Sequence, residues 1–238
     1  IKNEEAVRDL GIMMTTDAKF TTHIENITAE SQRLISMIFR SFRSREPNIL
    51  IPVYKAIILS KIDYCSVLWG PANLSDLRKL ERVLSNFTYR LLYSKDGEKK
   101  NYWERLEALR LYSIERRFER YCVIFVYKIL HNQVYNPGIT STFSERRGVT
   151  CVVPNFTGKA RENSFLVRGP KLFNSLPRDI RSFPFDTEIT SEQAMNNFKR
   201  VLDGYLKTIE DKPNVTSNYT QYMTRLDSNG NRTNSILK

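Results

Sequence analysis

The side chains best suited to chemistry in this chain are its arginines. Among 238 residues, 37 Lys and Arg stand against 26 Asp and Glu, for a net charge of +11, and 22 of the cations are Arg. A guanidinium presents a planar fork of donors that matches phosphate and also stacks on bases. The cations cluster: Arg40, Arg43 and Arg45; Arg78, Lys79 and Arg82; Arg116, Arg117 and Arg120; and Arg146, Arg147, Lys159, Arg161, Arg168 and Lys171. Aromatic residues lie between them, and Phe39, Tyr89, Tyr93, Phe165 and Phe173 are candidates for stacking on bases. The alternative is that these rings are core and the cations only solvate a surface. Taken together, the clusters favour a nucleic-acid partner.

Residues for bond-making chemistry do not assemble. The two histidines, His23 and His131, and the three cysteines, Cys65, Cys122 and Cys151, are scattered and form no CxxC pair or zinc knuckle. They read as capping or surface residues and as reduced thiols. No G-x-G or GxxxxGK[ST] occurs among the nine glycines, which argues against a Rossmann or P-loop site. No Asp-Asp pair occurs, so two-metal phosphoryl transfer has no carboxylate cluster to hold its ions. Asp63 reads as a helix-surface carboxylate pairing with a Lys. Glu98-Lys99-Lys100 matches the end of a nuclease motif but has no Pro-Asp before it.

The elements that position these residues are mostly helices. Nine Gly and nine Pro in 238 residues are few for a many-stranded fold. Ala6–Met14 reads as a strand bent at Gly11. Thr22-His23-Ile24-Glu25 has the capping-box pattern, and Ile24, Ile27, Leu34, Ile35, Ile38 and Phe42 continue at helical spacing, predicting a helix over 22–44. Pro47 opens a second helix that runs unbroken to Gly70-Pro71, and Asn73 caps a third with Leu74, Leu77, Leu80, Leu84, Phe87 and Leu91 on one face. A short helix around Trp103–Leu109 and a longer one starting at Ser113 follow. Beyond Asn136-Pro137-Gly138, a strand is expected over 149–154, a helical turn over 169–176, and a helix behind the Thr190–Gln193 capping box. The longest aromatic-aliphatic run, Cys122 to Tyr127, is far short of the roughly 18 residues a membrane span needs. Charge is uneven: residues 31–128 carry +9 and 144–181 carry +5, with an uncharged connector at 129–143.

Six segments, in order, resemble the region that follows the catalytic palm in reverse transcriptases of non-LTR (LINE-type, jockey-like) retrotransposons. RDLGIMMTTDAKFTTHIENI is similar to an LGI-x-x-D-x-x-x-F-x-x-H-I stretch, and VYKAIILSKIDYCSVLWGP to an L-Y-K…Y-x-S-x-x-W-x-P helix. LRKLERVLSNFTYRL resembles L-E-x-V-Q-x-x-F-T, with Leu84 where Gln is usual, and ERLEALRLYSIERRFERYCVIFVYKIL resembles a block ending in Y-K-I-L. FNSLPRDI and FKRVLDGYL are similar to terminal W-N-S-L-P and F-K-x-x-L-D elements, with Phe173 in place of Trp. The matches span residues 6 to about 206.

The resemblance implies a mainly α fold: a short N-terminal β-hairpin remnant of the palm, a helical thumb bundle and a smaller α+β C-terminal region. Residues 1–21 would end the palm and form the primer-grip hairpin, 22–135 the thumb and following helices, 136–212 a basic C-terminal region with a terminal helix, and 213–238 a disordered tail. Leu10, Gly11 and Ile12 would be the primer grip, with an ordinary hairpin bend as the alternative. Tyr64 and Trp69 read as core packing rather than base contacts. The implied role is to grip primer and template for an RNA-directed DNA polymerase. The expected partners are an RNA template, an RNA·DNA or DNA duplex, and the palm and fingers of the same polymerase, with no membrane. The family's Mg²⁺-holding F/Y-x-D-D precedes the LGI segment. The expectation is therefore no cofactor in this chain, Mg²⁺ in the missing palm, and no polymerisation by this chain alone, acting inside the cell in nucleus or cytoplasm. The competing expectation is a decayed or host-adopted fragment serving as a protein-interaction scaffold.

Overall fold

A computed structural model describes residues 6–17, 19–71, 73–92, 100–209 and 211, and these are mainly helical, with two small antiparallel hairpins. The expected tail, Tyr93 and the Glu98-Lys99 pair lie outside the described residues. Contacts divide the chain into two units, with the break after Arg117.

The first unit opens with a hairpin of β1 (Ala6–Asp9) and β2 (Ile12–Thr15), paired from Ala6↔Thr15 to Asp9↔Ile12. Its two-residue turn has positive φ at both Leu10 (43°) and Gly11 (88°). Two left-handed residues in succession match the twist of the strands, which is why one of them is glycine. Helix α1 (Thr21–Ser41) buries Ile24, Ile35, Ile38 and Phe39. The predicted Thr22 capping box does not form. The helix starts at Thr21 behind Phe20, which makes no side-chain cap bond. Thr21 donates instead to Asp76 Oδ2 (2.8 Å), and Glu25 is taken by Lys79.

The second predicted helix is broken into pieces. Helix α2 (Pro47–Tyr54) contains Pro52, widens into a π-turn over Lys55–Leu59, and continues as α3 (Ser60–Asp63). Pro52 has no N–H for the ladder, and the π-turn begins three residues after it. The chain then breaks at Cys65, left-handed at φ 49°, before α4 (Ser66–Trp69).

Asn73 caps α5 (Leu74–Leu92) as expected, its Oδ1 accepting from the Asp76 N–H at 2.8 Å. Helices α1 and α5 run parallel. Glu25 meets Lys79 (2.8 Å), Gln32 meets Asn86 (2.5 Å) and Ser36 meets Arg90 (3.4 Å), each pair 54 residues apart. Tyr54 of α2 stacks on Phe87 of α5, ring centroids 4.0 Å apart. Helix α6 (Tyr102–Ala108) starts from a capping box of Asn101 and Glu104 that the sequence reading missed. Helix α7 (Ile114–Leu130) begins in this unit.

The second unit contains the rest of α7, a hairpin of β3 (Ser141–Ser144) and β4 (Gly148–Cys151), the short α8 (Lys159–Glu162), α9 (Phe165–Asn174), α10 (Arg178–Arg181) and α11 (Ser191–Leu206). Tyr127 lies flat on Phe198, with centroids 3.6 Å apart, and Arg120 grips Asp203 through two bonds of 2.5 and 2.8 Å. Asn174 extends β4, accepting from the Cys151 N–H and donating to the Cys151 carbonyl, both at 2.8 Å. The Thr190–Gln193 capping box is present as predicted. Strand β3 is not legible in the sequence, because all four of its residues are exposed and carry no alternating pattern.

Candidate nucleic-acid interface

Cations gather at one end of the α1–α5 pair. Parallel helices bring their C-termini to the same end, and each terminus carries roughly half a negative charge on carbonyls without helical partners. Arg40 is in the last turn of α1 and Arg90 in the last turn of α5, with Arg43 and Arg45 just beyond α1. Four guanidiniums against about one unit of helix-end charge leave a clear positive excess. Arg40 and Arg43 are exposed, while Arg45 and Arg90 are half-buried.

Phe39 organises two of these groups. The Cζ of Arg90 is 4.5 Å from its ring centroid and that of Arg45 is 4.6 Å. Phe39 is 4% exposed and also touches Phe87, so it supports guanidiniums and is not the base-stacking platform the sequence suggested. Burial and the neighbouring charges of Arg45 and Arg40 push the Arg90 pKa down. Arg90 was missed as a site residue, because nothing local marks it as the neighbour of residues 54 positions earlier.

A groove of about 510 Å³ lies nearby, lined by Pro47, Ile51, Pro52 and Leu92 with Lys100 and Arg110 among its polar residues. Pro47 and Leu92 follow Arg45 and Arg90 by two residues, so the groove adjoins the cationic end. Elsewhere on the two helices Arg33 and Arg82 are exposed and Arg78 is half-buried.

Several predicted binding residues are committed to the fold instead. Lys79 bridges Glu25 (2.8 Å) and Asp76 (3.0 Å), which raise its pKa. Arg116 is 1% exposed, inside the core rather than on a surface. Arg117 pairs with both carboxylate oxygens of Asp63. Asp63 is thus an ion-pair residue, as expected, although its partner is Arg and not Lys. In the second unit Arg168 hydrogen-bonds Cys122, opposing the rise in thiol pKa that burial causes. Lys171 lies over Phe156 (4.4 Å) with Glu162 at 3.5 Å. Arg146, Arg147 and Arg161 remain exposed, the first two in the turn of the β3–β4 hairpin. Of the proposed stacking rings, Phe173 is fully buried and Phe165 packs edge-on against Phe125, whereas Tyr89 stays 48% exposed.

The Leu10–Ile12 segment divides. Leu10 is 81% exposed at the hairpin tip, and Ile12 is buried. The hairpin is anchored near its turn at two points. Met13 N–H donates to His23 Nδ1 (3.3 Å), His23 packs edge-on to Trp69 (5.2 Å), Trp69 Nε1 donates to the Tyr64 carbonyl (2.7 Å), and Tyr64 Oη donates to the Leu10 carbonyl (3.1 Å). His23 is therefore a buried anchor and not a surface cap. Trp69 is core as read, but Tyr64 is 51% exposed.

Among the described residues no three His, Cys, Asp or Glu side chains are grouped to hold a metal, and no helix is long and apolar enough to cross a membrane. No protein-family model, curated protein or solved structure matches the chain.

Proposed function

We propose that the chain grips nucleic acid through phosphates, with the common C-terminal end of α1 and α5 as the principal contact surface. The observation that carries this reading is the concentration there of Arg40, Arg43, Arg45 and Arg90 without a carboxylate partner among the described residues. Lys79 and Arg117 are each paired with a carboxylate, whereas among the described residues these four are not. The expected ligand is a duplex, RNA·DNA or RNA, held without strong sequence preference, since phosphate contacts fix register without reading bases. The resemblance of the six segments supports the finer reading: a thumb and following region that hold primer and template for the palm of a non-LTR reverse transcriptase, inside the cell. In that reading catalysis and its Mg²⁺ belong to the palm.

A labelled RNA·DNA duplex titrated with the protein at several salt concentrations tests this. Log affinity should fall against log salt with a slope of several units, since each neutralised phosphate contributes about 0.9. Affinity that ignored salt would sink the proposal.

A second reading, a scaffold that binds protein, has its own observation. Val7, Leu10, Met14, Tyr64 and Leu68 are each at least 39% exposed, on the hairpin and the segment that anchors it. Sedimentation showing a stable oligomer, together with no affinity for duplex, would favour that role.

A further inference from the structure

We propose that Arg40, Arg45 and Arg90 form a seat for a phosphodiester group of a bound nucleic-acid strand, with Phe39 as the rigid surface behind it. This rests on the nucleic-acid reading above and assigns its tightest contact. The two guanidiniums nearest the ring are held by one turn of α1: Arg45 Nη2 donates to the Phe39 carbonyl at 3.0 Å, and Arg90 Nη1 donates to Ser36 Oγ at 3.4 Å. Each guanidinium has five N–H donors, of which these bonds use one apiece. Arg45 Nη1 is buried with no acceptor among the described residues.

The seat is costly without an anion. Three like charges converge closely enough for Arg45 and Arg40 to depress the Arg90 pKa. No carboxylate of the described residues is within ion-pair distance of any of them. A phosphodiester removes that repulsion and accepts forked donation at its two non-bridging oxygens. The adjoining groove favours a nucleotide chain over a free phosphate or a lipid headgroup. Its apolar Pro47, Ile51 and Leu92 offer surface for a sugar and base beside the phosphate, and Lys100 and Arg110 add positive charge to the same lining.

The test compares four full-length proteins on the labelled RNA·DNA duplex across salt: the unchanged chain, R45Q/R90Q, R45K/R90K and the control R33Q/R82Q, which removes two exposed cations from the same helices. R45Q/R90Q should lose at least about tenfold in affinity and about two units of salt slope. R45K/R90K, which keeps charge but not the forks, should keep the slope and still lose several-fold. R33Q/R82Q should lose less affinity than R45Q/R90Q. Inorganic phosphate and anionic phospholipid vesicles serve as competitors and should displace the duplex poorly.

Equal losses for R45Q/R90Q and R33Q/R82Q, with salt-dependent binding intact, would overturn the seat and leave the nucleic-acid function standing. No duplex binding by the unchanged chain would overturn both. If phosphate or vesicles then bound in an Arg45- and Arg90-dependent way, the site would be an anion site with a different ligand. Thermal melts accompany every variant. R45K/R90K preserves charge and stem packing, so it keeps the test decisive should R45Q/R90Q unfold.

Discussion

Tyr102 donates its phenolic hydrogen to Glu81 at 2.5 Å, inside the first unit, and Glu81 is 1% exposed. The other carboxylate oxygen accepts the backbone N–H of Glu115 at 3.0 Å, at the start of α7. One buried carboxylate thus ties α5 to α6 and satisfies a free donor at the N-terminus of α7. Glu81→Gln keeps the shape but replaces one acceptor oxygen with a donor. It should destabilise the fold by about 2 kcal/mol, the scale of a hydrogen bond to a charged group. A thermal or urea melt checks this, and an unchanged midpoint would show that the carboxylate contributes nothing.

Tyr54 presents the opposite case. It is fully buried and stacked on Phe87, yet its hydroxyl has no partner among the described residues, and burial pushes its pKa far up. Tyr54→Phe keeps the stacking and removes an unsatisfied group. Stability should hold or rise by up to about 1 kcal/mol. A clear loss would reveal a bond that the hydroxyl makes.

Acid should weaken the fold through its histidines. Burial lowers the pKa of both His23 and His131 below the usual 6.5, and Arg8 adds to the effect at His23. A lowered folded pKa means that the fold prefers the neutral ring and that the unfolded chain binds more protons as pH falls. The stabilisation is complete above about pH 6.5 and is lost as pH drops through the depressed folded values. Melting temperatures measured from pH 7.5 to 5 should decline. His131→Phe, which retains a ring against Tyr127 and Phe185, should make the decline shallower. A flat profile for the unchanged chain would contradict this.

Two helical glycines of the second unit should respond with opposite signs. A Cβ on Gly169 would lie 2.8 Å from the Phe165 ring and 2.9 Å from Val126, so that α9 approaches α7 only through a glycine. Gly169→Ala should cost about 1–3 kcal/mol, the usual penalty of overpacking. Gly204 in α11 faces open space, and Gly204→Ala should gain about 0.5–1 kcal/mol from helix propensity. Paired melts decide both.

What could be read from the sequence was what is local. Asn73, Thr190 and Pro47 act within four residues of themselves, and the structure uses them as their neighbours suggest. Thr22-x-x-Glu25 has an equally good local pattern, but Lys79 takes Glu25 from another helix, and Asp76 of that helix binds Thr21, where α1 starts one residue early. Arg116 and Arg117 look alike in sequence. About 100° of helix rotation separates them, so one enters the core and the other meets Asp63. The cationic cluster at residues 40–45 was legible. Its fourth member, Arg90, and the role of Phe39 arise only from the side-by-side packing of α1 and α5.

That parallel packing also bears on how the first unit folds. Antiparallel helices can zip up from a tight turn, but parallel ones need a return path. The 21 residues of α1 span about 30 Å, and the chain must retrace that length before α5 can start beside Thr21. The segmented stretch from Pro47 to Trp69 makes that return. The α1–α5 interface therefore closes a loop of 54 residues before any of its contacts form. For a helical protein this is high contact order, and the unit should fold more slowly than an up-and-down bundle of its size.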